Sequence, residues 1–566
     1  MSVSNERDKQ IYKPINKTKT MKKLFLTAIT LLASIYSGLA CTNLIVGKAA
    51  SADGSVIVSY SADSYGMFGY LCHFPAAVHA EGTMREVYDW DSGKYLGRIK
   101  EARQTYNVVG NINEHQLTIA ETTFGGREEL VDTAGIIDYG SLIYIALQRS
   151  KTAREAIDVM TSLVEEYGYY SGGESFTIAD PNEAWIMEMI GKGPGRKGAV
   201  WVAIRIPDDC ISAHANQSRI RQFPLKDKAN CLYAKDVITF AREKGYFEGK
   251  DSEFDFAAVY CPADFGGLRY CDARVWSYFN MYADLDMNQY LPWAMGDATA
   301  TPMPLYVKPK QKVSVREVQA AMRDHYEGTP MDITGDLGAG PWSMPYRPSP
   351  LSFKVDGVTY FNERPISTQQ TAFTFVSQMR NWLPNPVGGV LWFGTDDANM
   401  AVFTPVYCCT NEVPECYSVE IADAVTFSEK SSFWLFNMVS NMVYPRYSAL
   451  IGDLKQVQKS LEDGFESNQP AIEAKAVTLY NDIPSKAVAL LTKYTAETAE
   501  KTMQAWGNLA KFLIVKHNDM VVKPTEKNGT FKRSETGLGA TPVRPGYPED
   551  FNRRVVKETG DRYLMK

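Results

Sequence analysis

Cys41 is the residue whose setting most plainly suggests chemistry. It stands within Leu39-Ala40-Cys41-Thr42-Asn43-Leu44-Ile45-Val46-Gly47. Lys22 and Lys23 precede an apolar run, Leu24–Tyr36, and the small residues Ser37, Gly38 and Ala40 follow it. A positive start, a hydrophobic centre too short for a bilayer and small residues at −3 and −1 form the layout of a secretory signal cut after Ala40. A cysteine freed at its nitrogen carries a thiol and an α-amine on one residue, with reference pKa values of about 8.5 and about 8. The amine can take the thiol proton, attack follows, and the proton passes to the leaving group, with no histidine required. Two other roles compete for Cys41. A lipid anchor would acylate the amine, although Gly38 stands where lipoprotein signals carry Leu. A plain structural cysteine is the other.

Composition bounds what surrounds that residue. The chain has 566 residues, 45% hydrophobic and 22% charged, which is an ordinary globular composition long enough for a large core or several domains. Aromatic content reaches 12%, suited to a large core or an aromatic pocket. The net charge of −6 is spread without long blocks, so no electrostatic footprint for nucleic acid or an anionic membrane is present. No run after residue 40 approaches a transmembrane span. Nine cysteines are an odd number, so at least one stays unpaired, and Cys41 is the natural candidate. The six histidines form no His-Glu-x-x-His pattern, Cys-x-x-Cys is missing, and no Gly-x-Ser-x-Gly elbow occurs. Neither a metal nor another cofactor is expected. His214 is the histidine that a papain-like pairing with Cys41 would use.

The elements that must position Cys41 begin with β structure. Strands are expected at 42–47 and 55–60, joined through Ser51-Ala52-Asp53-Gly54, and again at 117–122. Residues 141–149 read as a helix. Thr152-Ala153-Arg154-Glu155 is a capping box opening a second helix that Gly168 ends. Strands return at 175–179 and 184–189 around Asp180-Pro181-Asn182, and 199–206 and 210–215 extend that meander. Gly191–Gly195 suits a hairpin loop better than a phosphate cradle. A Pro/Gly-rich connector spans 301–350, with one capped helix from Ser314. Further strands follow at 371–379, 388–394 and 400–408. Long helices are expected at 429–464 and 485–516, with a Pro/Asn break between them. The pattern is α+β, layered, with mainly antiparallel sheets. The organisation reads as a polar extension (1–20), a signal (21–40), a core (41–425), a helical region (426–520) and an irregular tail (521–566).

Cys41 to Lys48, then Ala50-Ser51-Ala52-Asp53-Gly54-Ser55 and Ser61-Ala62-Asp63-Ser64, resemble the opening of the cysteine dipeptidases. That family belongs to the N-terminal-nucleophile hydrolase superfamily, with penicillin V acylase and bile salt hydrolase as distant relatives. The likeness continues through Glu121 to Arg127, Gly173-Glu174-Ser175-Phe176 and His214 to Arg219. The resemblance implies an αββα sandwich with C-terminal helical additions, and hydrolysis of dipeptides or similar amides.

Residue by residue, Cys41 matches the nucleophile. Asp63 matches an aspartate lying near the nucleophile and its amine, where a carboxylate would orient the amine. Asn216 resembles the asparagine that positions the amine or holds the oxyanion. Arg274 resembles an active-site arginine whose charge would lower the thiol pKa. One position departs from the pattern: relatives carry Arg three residues before the aspartate, and Tyr60 stands here. A dipeptide also presents a free amine and a free carboxylate, for which Glu174 and Arg127 are the respective candidates. The expectation is an exported cysteine dipeptidase, periplasmic or extracellular, acting on small peptides, with assembly into a homo-oligomer left open. An amide acylase on N-acyl amino acids and a lipid-anchored surface binding protein are the rival readings.

Overall fold

The computed structural model describes residues 41–565. The extension and signal segment expected at 1–40 lie outside the described residues.

Two antiparallel sheets form the frame. The first has seven strands. At its centre lie β1 (Thr42–Val46) and β2 (Val56–Asp63), the hairpin that the Asp53-Gly54 turn dictates. Asp53 Oδ1 accepts the Ser51 and Ser55 hydroxyls at 2.9 and 2.6 Å, and Gly54 takes φ +88°. The second sheet has eight strands and contains β3 (Thr118–Gly125), β4 (Gly173–Ala179), β5 (Ala184–Gly191) and β6 (Ala199–Ile206) as consecutive neighbours. The next strand, β7 (Ile211–His214), breaks the expected meander. It leaves the second sheet and pairs with β1 in the first, Asn43 facing His214. The turn from Pro207 to Cys210 makes this crossing possible, and β7 occupies the edge of β1 that β2 leaves open. Beyond β2 the first sheet continues with β8 (Thr371–Met379), β9 (Val390–Thr395) and β10 (Thr404–Tyr407).

Side chains alternate across these strands with the period of two that a pleated strand imposes. Ile45, Val58, Tyr60, Ala120, Ile186 and Val202 meet between the sheets. On the far side of the second sheet, Ile119, Trp185 and Met187 pack on α1 (Tyr139–Arg149) and α2 (Ala153–Tyr167). Thr152 caps α2 through the Glu155 N–H, and Gly168 ends it at φ +82°. On the far side of the first sheet, Leu44, Val46 and Ile57 pack on helices that include α3 (Ala273–Tyr282) and α4 (Ser432–Val443). Helices thus cover the outer face of each sheet.

The C-terminal helices differ from their expected boundaries. Pro445 ends the first of them, and α5 (Tyr447–Asp482) then runs through Pro470, where a break was expected. Phe465 and Ala476 on either side of Pro470 are buried, so packing overrides the lost N–H. Helix α6 (Pro484–His517) stacks Trp506 on Phe436 of α4 at 4.4 Å. Arg380, just beyond β8, meets Glu473 of α5 in a bidentate buried pair at 2.6 and 2.8 Å. Leu454, Leu461 and Trp506 share one hydrophobic cluster with Leu44 and Val46 of the sheet. The tail, expected to be irregular, carries a helix at Glu549–Thr559. No described helix is long and apolar enough to cross a membrane. All nine cysteines are free thiols.

Candidate active site

Cys41 enters the first sheet directly ahead of β1, 2% exposed, with its neighbours fixed by strand pairing. Gly47 closes that strand so tightly on Asp208 that a Cβ there would lie 2.5 Å from its carbonyl oxygen, which is why the motif ends in glycine. The Cys41 sulfur lies 3.5 Å from the Tyr60 hydroxyl and 3.6 Å from Glu121 Oε1, and Tyr60 donates to the same Glu121 oxygen at 2.7 Å. Burial, then the charges of Glu121 and Asp63, push the thiol well above its ordinary pKa, against the Tyr60 hydrogen bond and the Asp63 backbone.

Asp63 ends β2 fully buried. Its carboxylate pairs with Arg364 at 2.5 Å and accepts the Thr371 and Ser61 hydroxyls at 2.7 and 2.9 Å. The cation on Asp63 thus comes from a residue 301 positions away in the chain.

Asn216 follows β7 at φ +64°, a left-handed conformation that asparagine tolerates. Arg274 orients it. Arg274 Nη2 donates to Asn216 Oδ1 and the Ala215 carbonyl, both at 3.0 Å. Its Nη1 donates to the Cys41 carbonyl at 2.6 Å and Thr42 Oγ1 at 2.7 Å. Because a guanidinium only donates, the Asn216 atom facing it is the oxygen. The amide nitrogen then donates to the Thr123 carbonyl at 2.8 Å and keeps one N–H to spare. Glu188 fastens the loop that follows, accepting the Ser218 hydroxyl and the Arg219 and Ile220 backbone N–H groups. Arg274 is itself fully buried; burial first, then the neighbouring Arg364 charge, lower it to about 10, so it stays charged at neutral pH.

Cys41, Asp63, Asn216 and Arg274 are thus brought together. Glu174 joins them through Glu121. Both carboxyls are buried, and burial raises both; the Glu121 charge raises Glu174 further. Counted as two carboxylates, Glu121 Oε2 and Glu174 Oε2 have no donor. As a pair sharing one proton, each satisfies the other, and a low-dielectric site favours that form. Arg127 shares no hydrogen bond or ion pair with this group among the described residues. Its Nε donates to the Val259 carbonyl at 2.7 Å, and its guanidinium sits 4.0 Å over the Tyr246 ring.

His214 makes no bond to Cys41. Its ring nitrogens meet the Thr122 and Thr177 hydroxyls, each at 2.7 Å, and burial followed by the Arg219 charge drives its pKa down to about 3. It is a neutral tie between the sheets, and a papain-like pairing is excluded. Glu121 and Arg364 escape the sequence reading. Glu121 sits inside a motif but reads as a strand residue, and Arg364 follows an irregular connector with no local pattern.

A model of Peptidase family C69 matches residues 40–460. A probable dipeptidase from Salmonella dublin is 28% identical over 406 residues, 68% of this chain and 85% of the relative. One from Latilactobacillus sakei is 26% identical over 495 residues, 84% and 95% of the two chains, and dipeptidase A from Lactobacillus helveticus is 24% identical over 457 residues, 76% and 86%. The family model spans the sheets, the Cys41 cluster and the start of the C-terminal helices, and the chain belongs to Peptidase family C69.

Proposed function

We propose that this protein is an exported dipeptidase of the N-terminal-nucleophile class, with Cys41 as nucleophile and an αββα sandwich as its frame. Cleavage after Ala40 releases the Cys41 amine. That amine takes the thiol proton, and sulfur attacks the carbonyl carbon of the substrate's first residue. The spare Asn216 N–H holds the oxyanion while Arg274 holds Asn216. The tetrahedral intermediate collapses to a thioester; the proton on the Cys41 amine passes to the departing amino group of the second residue. Water, deprotonated by the same amine, then attacks the thioester and restores the thiol.

The observation that carries this reading is the placement of Arg274, whose guanidinium holds the Cys41 carbonyl and Asn216 Oδ1 at once. The occupied nitrogens of His214 support an internal base over an imidazole. The two facing sheets with outer helices are compatible with the sandwich.

The test is mass measurement of the mature N-terminus together with hydrolysis of a dipeptide panel and of N-acyl amino acids. A free Cys41 amine, turnover of dipeptides, and its loss in a folded Cys41→Ala variant are expected. Turnover surviving Cys41→Ala refutes the nucleophile, an acylated amine refutes the base, and preference for N-acyl amino acids makes the protein an acylase.

A further inference from the structure

Among the described residues, the acid pair beside the nucleophile has no counter-charge in contact with it. Glu121 Oε1 is 3.6 Å from the Cys41 sulfur. Glu174 is held beside it by the Thr123 hydroxyl at 2.7 Å. Both carboxyls are at most 2% exposed. Neither forms an ion pair with a Lys, Arg or His among the described residues; Glu121 takes the Tyr60 hydroxyl and the thiol, Glu174 the Thr123 hydroxyl. Asp91, bonded to the Tyr139 hydroxyl at 2.9 Å, adds a further acid nearby. With one proton shared, the pair carries a single negative charge. A buried charge calls for a partner, and no described side chain provides one.

The covalent geometry of a peptide identifies the partner. In a peptide's first residue the α-nitrogen lies about 2.5 Å from the carbonyl carbon. When sulfur approaches that carbon to about 3–3.5 Å, the ammonium falls within reach of a carboxylate that itself touches sulfur. We infer that Glu121, with Glu174 sharing its proton, receives the free α-ammonium of the substrate's first residue, so that the site takes unblocked peptides and rejects N-acylated ones. This rests on Cys41 being the nucleophile. One positive and one negative charge then cancel in a site closed to water, and an acetylated amine offers neither the charge nor the donors.

The competing partner for Glu121 is the amine of Cys41 itself, and one ratio separates the two. The measurement is kcat/KM for a dipeptide divided by kcat/KM for its N-acetyl form, in the mature enzyme and in Glu121→Gln, a near-isosteric change that leaves an acceptor for Tyr60. In the mature enzyme the ratio should be at least about 10², as expected of a site that must bond the group removed. In Glu121→Gln it should fall at least about tenfold. In Glu174→Gln, whose amide N–H replaces the shared proton, it should fall less than in Glu121→Gln. An unchanged ratio in Glu121→Gln overturns the inference, even if both activities drop, because Glu121 then serves Cys41 and not the substrate. Should Glu121→Gln fail to fold, inhibition of the mature enzyme by the desamino analogue of the dipeptide decides. Binding at least about 10²-fold weaker than the amine-bearing form supports the assignment, and equal binding overturns it. Dipeptide turnover insensitive to Cys41→Ala would instead signal failure of the underlying reading.

Discussion

Replacing Arg274 with lysine separates two roles for that cation. Its guanidinium reaches the carbonyls of Tyr270, Cys41 and Ala215, the Thr42 hydroxyl and Asn216 Oδ1, at 2.6 to 3.0 Å. A lysine ammonium keeps the charge but has only three donors on one atom, so at least two of these buried acceptors lose their partner. At about 1–3 kcal/mol for each orphaned group, Arg274→Lys should cost about 2–6 kcal/mol of stability. Asn216 also loses the partner that fixes its amide, and disabling one oxyanion donor costs about 10²–10³ in kcat. If the residue worked by lowering the thiol pKa, Arg274→Lys would retain activity and Arg274→Gln would lose it. The geometry predicts that both lose it, because the guanidinium contacts the Cys41 carbonyl and not the sulfur. The assays are dipeptide kcat/KM, thermal melting, and the pH dependence of Cys41 alkylation by iodoacetamide, whose midpoint should stay put in both variants. An Arg274→Lys enzyme within about threefold of the parent in kcat/KM would refute the positioning role.

Two further outcomes follow from buried charges. His214 should make the fold acid-sensitive. Between its unfolded pKa of about 6.5 and its folded value of about 3, the unfolded chain binds a proton that the native state refuses, so stability falls as pH drops. At about 1.4 kcal/mol per pH unit, the parent should lose about 3 kcal/mol more than His214→Gln between pH 6.5 and pH 4, measured by urea unfolding. Equal losses would place the imidazole in a solvated site. Arg364→Met should leave Asp63 buried without its counter-ion and cost about 3–5 kcal/mol, while Asp63→Asn combined with Arg364→Met should cost less than the two single changes added. Strict additivity in that cycle would mean that the pair is not coupled.

Local signals were legible where they act locally. Asp53-Gly54 sets the β1–β2 turn, Thr152 and Gly168 bound α2, and the Cys41 motif shows its structural logic at Gly47. The sequence resemblance also points to Asp63, Asn216 and Arg274, which the fold gathers around Cys41. Longer-range decisions were not legible. Cys210 to Ala215 has the pattern of one more meander strand, and only the vacant edge of β1 draws it into the other sheet. Pro470 carries a local break signal that packing at Phe465 and Ala476 overrides. Arg364 meets Asp63 across most of the sheet's sequence, a contact that no window of neighbouring residues contains. Arg127 had the right charge for a substrate carboxylate, but its contacts are to the Val259 carbonyl, the Glu129 carboxylate and the Tyr246 ring, none of them shared with the Cys41 group, and no local pattern in the sequence could show this.

The division of labour between the Cys41 amine and Glu121 follows from the same charges. Reactive thiolates form beside cations, imidazolium groups or helix N-termini. Here sulfur faces Glu121 and is enclosed, so the thiol stays protonated and must lose its proton as the bond forms. On the proposed mechanism two groups can take it: the amine that cleavage after Ala40 would release, and Glu121 itself. Glu121 cannot serve in both capacities, because a proton gained from sulfur would neutralise the charge that holds the substrate ammonium. The amine has no such conflict, and its reference pKa of about 8 lies nearer the thiol than Glu121, which burial lifts only to about 7. A chain left uncut, with Ala40 still joined to Cys41 and the nitrogen an amide, should therefore bind iodoacetamide slowly and turn over no dipeptide. Hydrolysis by the uncut chain at the mature rate would make Glu121 the base and displace it from the substrate's ammonium.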